Sequence, residues 1–263
     1  MCRSFNHTNC MVVAEFTINA AVNFAIKTPS SGYIPSYPDI NIAISRGYRD
    51  IQRNCHCINK AVYANGHSKG SDVKQTIYQE ILNFILNLSS ISSQSQFDTE
   101  HDNLCQKLTG SYNGYNSQGR PCSYDFTYGL AQKILNMTLK YLCVCQYFGR
   151  VNILPSGIEK FFHCPIDSYV LQTLHDVDSK YFNMITNSTG SWTFNGKPWS
   201  KLNRSDYLLF LDIYRNKLLP NISQLEAEFH LWTSTPGKLS NSTVNCLKLS
   251  NNNPSSLVGV LFK

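Results

Sequence analysis

Apolar residues recur every three or four positions through most of this 263-residue chain. That is the period of a helix with one face turned toward a core. The spacing of Val12, Val13, Phe16, Ala20, Val22, Phe24 and Ile26 predicts a helix over 11–28 that stops before Thr28-Pro29. Three prolines make 29–39 a loop, and helical spacing resumes over 40–62. Asp72 starts a helix running through Leu88, and "SSISSQSQ" (89–96) reads as a polar linker. Asp98 starts a further helix ending near Leu108. Residues 109–129 are rich in turn formers, and "YGLAQKILNMTLKYL" (128–142) opens the next helix. After a loop, Pro165 begins a helix through about His175, since proline suits a first turn. Residues 187–200 are turn-rich, 205–219 and 223–232 are helical, and 233–263 form a polar tail. Nothing in the pattern requires strands, so the expected fold is mainly α. Three parts are expected: an N-terminal helical part (1–97), a central helical part (98–232) and a C-terminal tail (233–263).

Composition adds limits. With 42% hydrophobic and 12% aromatic residues, the chain has the means to build a core. Lys and Arg number 23 against 17 Asp and Glu, giving +6. Only 15% of residues are charged, so the excess reflects scarce acids rather than a dense basic tract. It is compatible with a polyanionic partner and equally with a mildly basic protein that has none. No apolar run is long enough to span a membrane. Met11 to Ile26 is broken by Glu15, Asn19 and Asn23 and lacks a small-residue cleavage site, so no signal peptide is expected.

The ten cysteines show no C-x-x-C pair, and the two C-x-C pairs (Cys55/Cys57, Cys143/Cys145) do not have zinc spacing. Most of them read as reduced core thiols in a cytoplasmic protein, with no metal or cofactor expected. Sequons at Asn6, Asn87 and Asn136 would favour a secreted disulfide protein. Asn136, however, falls in the middle of a predicted helix.

That helix carries Lys133 and Lys140, seven residues apart and so on roughly one face. A lysine on a mostly apolar helix is either a snorkelling side chain or an amine held in a pocket, where burial favours its neutral, nucleophilic form. Farther on, "FHCPIDSYVLQTL" (162–174) puts Asp167 at a helix start. There a carboxylate bonds orphan backbone N–H groups and is itself fixed in place.

The segments "GLAQKILNMTLKYL" and "HCPIDSYVLQTL" together resemble the active-site region of helix-hairpin-helix DNA glycosylases, nearest to the archaeal 8-oxoguanine glycosylase branch. The likeness covers about residues 120–175. It implies a mainly α, helix-hairpin-helix glycosylase-like fold with a central cleft. Lys133 stands at the position of the family's nucleophilic lysine and Asp167 at that of its aspartate. Tyr128, Gly129, Lys140 and His163 are then the expected DNA contacts. The family's Leu-Pro-Gly-Val-Gly hairpin is missing, and "FTYGLAQK" supplies only Gly129; the later "LPSG" (154–157) follows the lysine helix.

The implied activity is excision of a modified or damaged base flipped from duplex DNA, with or without AP lyase action. It would serve repair or defence against phage with modified DNA, as a cytoplasmic monomer with no membrane partner. Trp192, Trp199, Trp232, Phe161 and Phe162 are available as pocket walls. The competing reading is a non-catalytic helical nucleic-acid-binding protein.

Overall fold

The computed structural model describes residues 38–52, 54, 70–115, 120–147, 152–178, 184–186, 192–215 and 223–233. The helix expected over 11–28, the far end of the one expected over 40–62, and the expected tail lie outside the described residues.

Seven α-helices are described: α1 (Pro38–Ile51), α2 (Gly70–Leu86), α3 (Gln94–Leu108), α4 (Tyr128–Tyr147), α5 (Ser168–Asp178), α6 (Arg204–Ile213) and α7 (Gln224–Thr233). The described chain is mainly helical, as the spacing predicts. The strands are the departure. Residues 109–129 hold a hairpin of β1 (Gly110–Tyr115) and β2 (Pro121–Phe126), paired antiparallel from Gly110↔Phe126 to Tyr115↔Pro121. Cys122, Tyr124 and Phe126 alternate with the exposed Ser123 and Asp125 on β2, but the pattern is six residues long in a turn-rich stretch, and "GSYNGY" on β1 does not repeat it. A second sheet has the order β3 (Met184–Thr186), β4 (Trp192–Phe194), β5 (Lys197–Pro198). Asn195 and Gly196 join β4 to β5 with φ of 50° and 74°. The Asn-Gly pair tolerates this left-handed backbone and so closes a two-residue hairpin.

The chain falls into two compact units. One contains the described residues up to Pro155 together with Ser200–Arg204, and the other those of Ser156–Trp199 and from Ser205 onward. The division does not follow a boundary at 97, because α3 packs on both α2 and α4 within the first unit.

In the first unit the most extensive packing is α1 against α4. Gly47 sets their approach: a Cβ there would lie 2.8 Å from Thr138 Oγ1 and 2.9 Å from the Ile134 carbonyl oxygen. Ile40, Ala43, Ile44 and Ile51 on α1 are buried, as are Leu130, Ala131, Ile134, Leu135 and Leu139 on α4. α3 begins at Gln94, four residues before the expected Asp98, because Ser93 caps it by accepting the Gln96 N–H.

In the second unit α5 packs against β3, β4 and α7. Phe194 meets Phe210 edge-on at 5.6 Å, and Phe210 stacks on Tyr214 at 5.7 Å. α5 begins at Ser168 rather than Pro165, because Asp167 is its cap.

Candidate active site

α4 is the element the sequence singles out, and its first turn is tied to the chain at 200–204. The Leu130 N–H donates to Thr127 Oγ1 at 3.2 Å, and the Ala131 N–H donates to the Thr127 carbonyl at 3.0 Å. The Thr127 hydroxyl donates to the Ser200 carbonyl at 2.6 Å, and the Gly129 N–H to the Leu202 carbonyl at 2.9 Å. These bonds correct one expectation. Gly129 is not a phosphate cradle, because its amide already has an internal acceptor. Tyr128 is buried too, and its hydroxyl donates to Asp102 Oδ1 at 2.9 Å. Arg204 holds the same carboxylate as a fork, with Nε at 2.9 Å from Oδ1 and Nη2 at 2.7 Å from Oδ2. Burial alone would raise the Asp102 carboxyl, but the Arg204 and Tyr128 hydrogen bonds outweigh it and hold the group below the usual carboxylate value. Beside this lock runs a groove of about 510 Å³, with Phe126, Tyr128 and Leu202 among its buried lining and Lys201, Asn203 and Arg204 among its exposed lining.

Farther along α4 the two lysines are both inside. Lys133 is 4% exposed and Lys140 0%. Lys140 was expected at DNA, and its complete burial removes it from any phosphate. Near both lysines, at the C-terminal end of α1, is Asp50. The Tyr141 hydroxyl donates to Asp50 Oδ2 at 2.8 Å, and Arg46 Nε donates to the Tyr141 oxygen at 3.3 Å. Burial raises the Asp50 carboxyl above its ordinary value. The Tyr141 hydrogen bond and then the charges of Lys133, Arg46 and Lys140 only partly restore it. Of the three cations, Lys133 acts on it most strongly. Tyr141 is itself pushed far up, by burial first and by the Asp50 charge second. Sequence reasoning did not find Asp50. Its only signal is position, one turn beyond Arg46 at the end of an otherwise apolar helix face.

A second polar chain crosses from α3 to α4. Gln132 Nε2 donates to the Gly129 carbonyl at 3.0 Å, and Asn136 Nδ2 donates to Gln132 Oε1 at 3.1 Å. Asn136 Oδ1 is thereby left to accept from His101 Nε2 at 2.8 Å, so His101 Nδ1 faces the Cys105 thiol at 3.7 Å. Cys, His and Asn in this order have the form of a nucleophilic triad, but burial drives the Cys105 thiol well above its ordinary value and keeps it protonated. The arrangement is structural. Its sequence trace was two pairs at i, i+4, His101/Cys105 and Gln132/Asn136. Asn136, 1% exposed, is no glycan acceptor in this fold.

In the other unit, Asp167 Oδ1 accepts the Val170 N–H at 2.8 Å, and its carbonyl accepts the Leu171 N–H at 3.0 Å. The carboxylate is a helix cap, as its position implies. Burial raises the neighbouring Tyr169 hydroxyl, and the charges of Asp167 and Glu228 raise it further. His163, expected as a DNA contact, is 1% exposed. Its Nδ1 is 2.9 Å from the Tyr207 hydroxyl, and its Nε2 accepts from Arg215 Nη2 at 3.0 Å. Both ring nitrogens serve the core, so a phosphate contact is ruled out by burial. The Trp192 ring lies 4.3 Å from that of His175, tilted by 38°, while Trp199 and Phe162 are buried. The side chain of Trp232 lies outside the described residues.

Lys133 and Asp167 thus belong to different units, and Asp50 is a charged group that acts on Lys133 within its own unit. Cys105, Cys143, Cys145 and Cys164 are free thiols. Among the described residues no cluster of three His, Cys, Asp or Glu could hold a metal, and no helix is long and apolar enough to cross a membrane. No family model matches the chain, and neither a curated protein nor a solved structure matches it.

Proposed function

We propose that this chain is a DNA N-glycosylase that excises a modified base and traps the sugar on Lys133. The observation that carries the reading is the burial of Lys133 on α4, at 4% exposure, where its charge acts on Asp50. A lysine in the middle of a helix has no capping task, and an amine kept from water is costly unless it is paired or used. The mainly α fold supports the same reading.

In this reading, cleavage of the glycosidic bond builds positive charge on the sugar, which a carboxylate stabilises. The neutral Lys133 amine forms a bond to C1′ as the C1′–N bond breaks, and the base departs with that electron pair and the proton lost from the new secondary amine. Opening of the sugar ring, with that nitrogen's remaining proton passing to O4′, leaves an imine. The target must first be flipped from the stack. With Gly129, Lys140, His163 and Arg204 engaged inside the protein, the DNA backbone is assigned to the exposed Lys201 at the groove beside the start of α4.

Borohydride trapping on a panel of modified-base duplexes tests the proposal. A covalent protein–DNA adduct that maps to Lys133 supports it. DNA binding without excision or an adduct on any duplex would replace it with the non-catalytic nucleic-acid-binding reading.

A further inference from the structure

Where α2 packs on α1, a lysine rests on two tyrosine rings. Lys74 Nζ lies 4.6 Å from the centre of the Tyr48 ring and 5.4 Å from that of Tyr78. The two rings meet edge to face at 6.4 Å. The Tyr78 hydroxyl donates to Ser45 Oγ at 3.2 Å, which leaves the Ser45 hydroxyl proton for a further acceptor. Tyr78 is one turn from Lys74 on α2, and Arg49 is one turn from Ser45 on α1, so these groups share one edge of the helix pair. Arg49 is exposed and follows Tyr48 directly. A ring face attracts an ammonium but does not replace an oxygen acceptor for its N–H bonds. Among the described residues, neither Lys74 nor Arg49 is paired with an acid. Asp50 accepts from Tyr141, and Glu80 is paired with Lys107 at 2.8 Å. Burial lowers the Lys74 ammonium below its ordinary value, and the Arg49 charge lowers it further, as two cations with no anion between them require.

We propose that this edge of the α1–α2 pair is a docking surface for the phosphate backbone of DNA, with Lys74 and Arg49 as its contacts. The inference rests on the reading of the chain as a DNA glycosylase, which otherwise assigns the backbone to Lys201 alone. A phosphate here would relieve the repulsion between the two cations. Arg49 offers a planar fork that matches two phosphate oxygens, Lys74 a point charge, and Ser45 a hydroxyl proton. The rings already hold the Lys74 side chain in one place, so binding costs less of its rotamer freedom. The excess of 23 Lys and Arg over 17 Asp and Glu has the sign that a polyanion complements. The surface grips and does not read sequence. Tyr48 is 3% exposed and its ring is covered by the lysine, so no base stacks on it.

The test is a fluorescence-anisotropy titration of labelled duplexes of unrelated sequence, repeated across salt concentrations, for the wild type, Lys74→Met, Lys74→Arg and Arg49→Gln. Methionine keeps an apolar chain over the two rings and removes the charge. In the wild type, log affinity should fall linearly with log salt. Lys74→Met and Arg49→Gln should each weaken binding to all the duplexes alike and make the slope shallower by about 1. Lys74→Arg keeps a cation on the rings and should retain the wild-type slope. An unchanged slope in either neutral variant overturns the proposal. So does a loss in Lys74→Met that Lys74→Arg shares, because it would then come from packing and not from charge.

Should Lys74→Met not fold, as judged by circular dichroism, Arg49→Gln decides alone, since an exposed side chain can be exchanged without touching the core. A wild type whose slope responds to these variants but which forms no borohydride adduct defeats the glycosylase reading and supports the surface, as part of a non-catalytic binding protein. An adduct at Lys133 together with an unmoved slope in Arg49→Gln keeps that reading and overturns the surface. A wild type that binds no duplex at low salt overturns both.

Discussion

Lys133 and Asp167 occupy opposite kinds of position. Asp167 begins α5 and satisfies the Val170 and Leu171 amides, so it would be well placed there in any protein. Lys133 lies in the interior of α4, caps nothing and is almost wholly removed from water. A residue with a local structural task says little about chemistry. A buried amine is expensive, and its cost asks for a use. The contrast also ranks the two anchors of the glycosylase reading, with Lys133 the more informative.

The largest effect expected is on covalent capture. Lys133→Gln should abolish borohydride trapping while duplex affinity stays nearly unchanged in a gel-shift titration. A variant that still traps would move the chemistry off α4. Asp167→Asn should lower single-turnover excision by about 100-fold or more, as when electrostatic stabilisation of a transition state is lost. Asparagine still caps, so the same protein should lose less than about 1 kcal/mol in a urea melt. Normal excision would reduce Asp167 to a cap and widen the contrast with Lys133.

Stability effects come next. Asp50→Ala removes a carboxylate that acts on the buried Lys133 and Lys140 and should cost about 3 kcal/mol in a denaturant titration. Gly47→Ala should follow. The new Cβ would meet the Ile134 backbone, which cannot swing aside, and the overpacking of about 1–3 kcal/mol should exceed the roughly 1 kcal/mol gained in helix propensity.

The smallest effect is a pair of opposed pH dependences. Asp102 titrates below the ordinary aspartate value, so its contribution is present above that value and is lost as pH falls through the lowered one. Asp50 titrates above the ordinary value, so the native state gains stability as pH falls between its raised value and the ordinary one. Asp102→Asn should therefore flatten the acid loss of stability, and Asp50→Asn should remove the gain. Melting curves across mildly acidic pH that shift in the same sense for both variants would contradict the assignment.

Helices were legible in the sequence because their apolar faces are long and regular, and the start of α4 was placed at Tyr128, where it lies. The Ser93 cap and the β1–β2 hairpin were not legible. The serine lay in what reads as a polar linker, and the hairpin's alternation is confined to the six residues of β2 within a turn-rich stretch. The Asn195-Gly196 turn was readable in principle, but the strands beside it are two and three residues long. At the candidate site, the two lysines of α4 could be read from helical spacing, but their shared depth could not. Periodicity says which residues share a face, not whether a neighbour covers it. α1 covers it here, and Gly47 carries no apolar signal that would announce so close a crossing. Asp50 was missed for the same reason, since it matters only once α1 is laid on α4.

Because the first turn of α4 is closed by carbonyls of Ser200 and Leu202, its completion is an event of synthesis as well as of structure. Thr127 leaves the ribosome 73 residues before the Ser200 carbonyl that receives its hydroxyl. At a translation rate of about 5–20 residues per second, the Gly129 amide waits several seconds for its acceptor. During that interval α1, α2 and α3 are already outside and able to pack, while the helix bearing Lys133 still has an unfinished end. A nascent chain halted before residue 200 would therefore present α4 without its seal, a state in which proteases and chaperones would meet it first at Thr127–Leu130.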